Sequence, residues 1–88
     1  MMFANLFTVH YNIGDYDFAV ENLVTMLLRG GYRNDTAVMF YKSSIEDIKR
    51  DGNVKFTNAG VKKIEEKMKM IEAQFDFSEL RTIIYARI

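Results

Sequence analysis

Phe7-Thr8-Val9-His10-Tyr11-Asn12-Ile13 decides how the rest of this chain is read. Phe7, Val9, Tyr11 and Ile13 occupy every second position, and Thr8, His10 and Asn12 fill the places between them. Such alternation marks a strand with one buried and one wet face, so residues 6–13 are expected to be extended. Gly14-Asp15-Tyr16-Asp17 then interrupts the pattern, and either aspartate is suited to cap a following helix. From Phe18 the period lengthens. Val20, Leu23, Val24 and Leu27 stand at i, i+3, i+4 and i+7 on one helical face. Gly30-Gly31 supplies the stop, because glycine accepts the left-handed conformation in which helices commonly end.

Downstream, Thr36–Lys42 carries Val38, Phe40 and Tyr41 after the polar turn Arg33-Asn34-Asp35, which predicts a second strand. Ser44–Asp51 has two readings. Ser44 with Asp47, Ile45 with Ile48, and Gly52 at the exit suggest a short capped helix; Asp51-Gly52 also suits a hairpin turn. Asn53–Thr57 is a third strand in either case. Asn58 is a candidate N-cap for a helix bearing Val61, Ile64, Met68, Ile71 and Phe75 on one face. On its wet side Lys62–Glu66 and Glu65–Lys69 are spaced as i, i+4 ion pairs. Leu80–Ile88, with Thr82-Ile83-Ile84-Tyr85 at its centre, predicts a closing strand.

The order β-α-β-(turn or short helix)-β-α-β points to one α+β domain over residues 1–88. The expected architecture is a ferredoxin-like split βαβ two-layer sandwich, with two helices on one face of an antiparallel sheet. A winged-helix protein is the rival, since Gly52–Gly60 followed by a helix resembles a wing. That fold needs a helix-turn-helix upstream, where the β-rich Thr36–Lys42 stands.

Composition narrows the function classes. Eighty-eight residues, half of them apolar, suffice for a single core. The 12 acidic and 12 basic side chains cancel, so binding to nucleic acid would need a local patch of cations. Cysteine is absent, which excludes disulfides and thiolate metal sites and favours a reducing, cytoplasmic setting. No apolar run approaches the ~20 residues of a membrane span. The start Met1-Met2-Phe3-Ala4-Asn5 lacks the basic region of a signal peptide and reads as a mature cytosolic end.

A two-layer sandwich leaves one sheet face open. In a strand Ile83 and Ile84 point to opposite sides, so one of them must stay outside the core. By alternation Arg81, Ile83, Tyr85 and Arg87 share the open face, joined by Met39 and Tyr41 from the second strand. An apolar cluster with an arginine and tyrosine border is the composition of an interface. A homodimer and a docked protein are therefore expected ahead of nucleic acid, although the same residues would also stack on a single strand.

Candidates for chemistry are few. His10 is the lone histidine, a possible general base without a second metal ligand at any characteristic spacing. Asp15 and Asp17 form the one carboxylate pair near a strand end, where they could hold Mg²⁺; helix capping is the more economical role. No phosphate-binding glycine loop or nucleophile elbow is present.

Phe7–Ile13 resembles the first strand of the small ferredoxin-like nuclease families, which include the GhoS-type endoribonuclease antitoxin and the small CRISPR adaptation subunit. The helix that runs into Leu27-Leu28-Arg29-Gly30-Gly31-Tyr32 extends the likeness over roughly the first third of the chain. The resemblance implies a dimer whose strand-end acids meet across a two-fold axis, with a metal, on RNA or DNA. Here Asn12 stands at the strand-end acidic position, and an amide cannot replace that carboxylate. Two functions follow. One is a small non-catalytic regulatory or inhibitory protein of phage or mobile-element type, without cofactor, docking a partner through the open sheet and last strand. The alternative is a GhoS-like endoribonuclease using Asp15, Asp17, His10 and Mg²⁺ on single-stranded RNA.

Overall fold

The structure, a computed structural model, describes residues 2–88; the Met1 end of the expected mature start lies outside them. These residues contain no strand. They form α1 (Met2–Asn12), α2 (Tyr16–Leu28), a 3₁₀ turn (Gly31–Arg33), α3 (Asp35–Arg50), α4 (Asn58–Lys69) and α5 (Ser78–Ala86). The ferredoxin-like sandwich is thereby overturned: no sheet exists among the described residues to leave a face open.

Each misread segment has a physical reason. The alternation in residues 7–13 contains two i, i+4 pairs, Phe7 with Tyr11 and Val9 with Ile13. A helix separates these pairs onto different faces. Phe7 is buried with Ala4 and stacks on Tyr11 at 5.4 Å, whereas Val9 and Ile13 stay exposed. The stretch expected as a second strand is the first half of α3. Asn34 caps it by accepting from the Ala37 amide at 3.0 Å. Ala37, Tyr41, Ser44, Ile45 and Ile48 then form one continuous buried stripe. Ser44 is no cap, because its hydroxyl donates back to the Phe40 carbonyl at 2.8 Å inside the helix. In α5, Ile83 and Ile84 both enter the core, at 7% and 0% exposure, since neighbours on a helix diverge by about 100° and not 180°. Residues 53–57 run between helices without a partner strand, burying Val54 and Phe56.

α2 is the central element. Val20, Leu23, Val24 and Leu27 are fully buried, and burial continues around the helix to Asn22, Thr25 and Met26. The two polar side chains satisfy themselves within the helix, Asn22 on the Phe18 carbonyl and Thr25 on that of Glu21, both at 2.8 Å. Gly30, at φ +108°, turns the chain out of α2. α1 packs along one flank of α2 and α4 along another, while α3 packs with α5. At the far end Tyr41, Phe75 and Phe77 form a ring cluster with centroids 5.0–6.1 Å apart. Burial raises the pKa of the Tyr41 hydroxyl well above the usual phenol range, and that group has no hydrogen-bond partner among the described residues.

The C-terminal residues lock α3. Arg87 donates from Nη2 to the carbonyls of Ile48 and Lys49 at 2.9 and 3.2 Å, and from Nη1 to that of Asp51. The Arg87 carbonyl accepts from the Phe56 amide at 2.9 Å. Tyr11 reaches the same helix end, donating to Asp51 Oδ2 at 3.0 Å. A cation on the last carbonyls of a helix satisfies orphan acceptors and complements the dipole. Arg87→Met keeps the aliphatic stem and removes these bonds, so it should cost about 1–2 kcal/mol. For a domain of this size that is a fall in Tm of about 4–8 °C per kcal/mol, measurable by circular dichroism; an unchanged Tm would show that the cap contributes nothing.

Candidate functional site

The six residues expected to share an open sheet face do not converge. Tyr41 and Ile83 lie in the core, and Met39 is exposed alone on α3. Arg87 is turned into the end of α3. Arg81 and Tyr85 do meet, at Glu65 of α4. Arg81 Nε bonds Glu65 Oε1 at 2.6 Å and Nη2 bonds Glu72 Oε2 at 2.7 Å. Tyr85 donates to Glu65 Oε2 at 3.2 Å. Glu65 is therefore drawn to α5 and away from Lys69, its expected i, i+4 partner.

Beside this clamp, α4 and the end of α5 enclose an open groove of about 420 Å³. Val61, Tyr85 and Ile88 give it an apolar floor, and Lys62, Glu66 and Lys69 stand on its border. Neither Lys62 nor Lys69 forms an ion pair among the described residues. An aromatic anchor position bordered by charged side chains can grip an apolar side chain and orient a neighbouring carboxylate.

His10, Asp15 and Asp17 lie around the α1–α2 turn with separate tasks. Asp15 caps α2, its Oδ1 accepting from the Phe18 amide at 3.3 Å. Its Oδ2 is 4.0 Å from His10 Nδ1. The His10 ring stands edge-on to Phe18, 4.5 Å between centroids. Asp17 points the other way, accepting from the Thr57 amide at 3.0 Å and the Thr57 hydroxyl at 2.6 Å. Thr57 in turn caps α4 through the Gly60 amide at 3.0 Å. Glu21, on the same side of α2, is paired with Lys67 at 2.9 Å. Both oxygens of Asp17 accept hydrogen bonds from Thr57, and no group of three or more His, Cys, Asp or Glu that could hold a metal ion stands among the described residues.

The sequence reading missed a second surface. Met2, Leu6, Val9 and Ile13 recur at spacings of four, three and four along the outer side of α1. Met2, Val9 and Ile13 are 68%, 55% and 71% exposed. The spacing was present in the sequence, but the strand reading assigned Val9 and Ile13 to the buried side with Phe7 and Tyr11.

No described helix is long and apolar enough to cross a membrane. No family model matches this chain, and no curated protein or solved structure matches it.

Proposed function

We propose that this is a small, non-catalytic binding protein of regulatory or inhibitory type, which docks a protein partner in the groove between α4 and α5. The observation that carries the reading is an apolar floor of Val61, Tyr85 and Ile88 beside two ammonium groups without ion-pair partners among the described residues. Tyr85 is held by Glu65, and Glu65 by Arg81, so the anchor loses little freedom on binding. The complementary partner segment carries a large apolar side chain next to an aspartate or glutamate. The absence of cysteine fits a cytoplasmic setting for that encounter.

Selection from a random peptide library on the immobilised protein tests this. Enriched peptides should pair an apolar residue with an acidic one. Tyr85→Ala should weaken them by at least about tenfold, as for an interface anchor, and Lys62→Glu with Lys69→Glu should reduce both affinity and its salt dependence. Met39→Ala serves as the folded control. Peptides that bind wild type and Tyr85→Ala equally well would remove the groove from consideration.

A further inference from the structure

We infer that the outer face of α1 is a self-association surface, on which the occupant is the same helix of a second copy. At 3.6 residues per turn, Met2, Leu6, Val9 and Ile13 fall within a sector of about 60°. Ile13 lies one residue past the helix but stays in register, its amide donating to the Val9 carbonyl at 3.2 Å. Ala4 and Phe7 are buried on the core side, with Tyr11 half-buried beside them. α1 therefore carries two apolar faces, and the fold uses one. Phe18 widens the unused face through its edge contact with His10. Of the eight large apolar side chains exposed among the described residues, Met2, Val9, Ile13 and Phe18 account for half.

Charge identifies the occupant. Residues 2–14 contain no Asp, Glu, Lys or Arg. A two-fold contact sets each surface against its own image, so a charged face meets like charge at the axis and a charge-free face does not. An anionic membrane surface would be matched by lysines or arginines flanking the stripe, and α1 has neither. The alternating spacing of four and three is also that of a helix-pair seam. The 11 residues of α1 span only about 16 Å, so the buried area falls below the ~800 Å² per partner of a standard stable interface. The pair is accordingly weak. It shares no residue with the α4–α5 groove and leaves that groove free.

Sedimentation equilibrium of the full chain from about 10 to about 500 μM should show a 10.3 kDa monomer giving way to a dimer. Val9→Glu and Ile13→Glu should remain monomeric over the same range with unchanged helical circular dichroism, while Tyr85→Ala should dimerise as wild type does. Because the chain has no cysteine, single-cysteine variants give a second readout that tolerates a weak pair. Mild oxidation should cross-link Val9→Cys much faster than Met39→Cys, although Met39 is the more exposed of the two positions, at 70% against 55%. Equal cross-linking rates, or a wild-type chain monomeric throughout, would overturn the inference. So would co-sedimentation of a monomeric wild type, lost in Val9→Glu, with vesicles of phosphatidylcholine and phosphatidylserine.

Discussion

Phe77→Ala should remove a large share of this domain's stability at room temperature. The ring is fully buried, 5.0 Å from Phe75 and 6.1 Å from Tyr41, at the residue preceding α5. Emptying such a site costs about 3–5 kcal/mol, as lost transfer energy plus a cavity that the surroundings only partly refill. At about 0.05–0.15 kcal/mol per residue, 88 residues carry roughly 4–13 kcal/mol in total. One consideration limits the loss. The Tyr41 hydroxyl is buried without a partner, and water entering the new cavity would supply one, offsetting about 1 kcal/mol. The expected cost is therefore about 2–4 kcal/mol. Urea titrations followed by circular dichroism should show a large drop in midpoint at unchanged slope, with Phe77→Leu intermediate. A midpoint shift no larger than that of exposed Met39→Ala would mean that the ring cluster does not hold α3 to α5.

The same cluster shows why the fold was only partly legible. Its three rings come from α3 and from the segment between α4 and α5, so no local window contains the contact that organises them. α2 was readable because Val20, Leu23, Val24 and Leu27 admit a single period, with Gly30 beyond them as a stop. Residues 7–13 admit two periods, and β-branched and aromatic side chains tilt a short window toward strand. Burial against α2 then prevails over propensity, as tertiary context commonly does. A stronger signal lay in length. From Asp35 to Arg50 the sequence has neither glycine nor proline, and a run of sixteen residues without a breaker exceeds a typical strand of about 5–6 while suiting a helix. Leu80, Ile83 and Ile84 likewise read as i, i+3 and i+4 once a helix is considered.

The candidate surfaces were legible to different degrees. Tyr85 was placed on an exposed face, and it is exposed, although the sheet that motivated the placement is absent among the described residues. Arg81 and Arg87 were assigned to the same open face. Their partners, Glu65 and the α3 carbonyls, sit 16 and at least 36 residues away, beyond the reach of any periodicity. The nuclease reading placed its carboxylates at a strand end, and no strand exists among the described residues. Asp15 has the helix-capping role that the spacing had already suggested, whereas Asp17 holds Thr57 at the start of α4.

Asp17 offers the sharpest remaining test, because it should reverse the sign of a familiar substitution. Glycine in a helix is ordinarily about 1 kcal/mol worse than alanine, so Gly60→Ala in the first turn of α4 would be expected to stabilise. A Cβ at Gly60 would instead stand 2.2 Å from Asp17 Cγ and 2.6 Å from Asp17 Cβ. Aspartate is too short to swing aside while keeping Thr57, so its two bonds at 3.0 and 2.6 Å would be lost. Hydrogen bonds to a charged group contribute about 1.5–3 kcal/mol when protected and less when exposed as here. Gly60→Ala should therefore cost about 1–2 kcal/mol net. In an Asp17→Gly background neither the carboxylate nor its Cβ is present, and the same substitution should stabilise by about 0.5–1 kcal/mol. The cycle thus carries a coupling of about 1.5–3 kcal/mol, well above the ~0.5 kcal/mol scatter of independent sites. Gly60→Ala stabilising in both backgrounds would mean that the α2 carboxylate does not lie over the start of α4, and that some other contact sets the angle between the two helices.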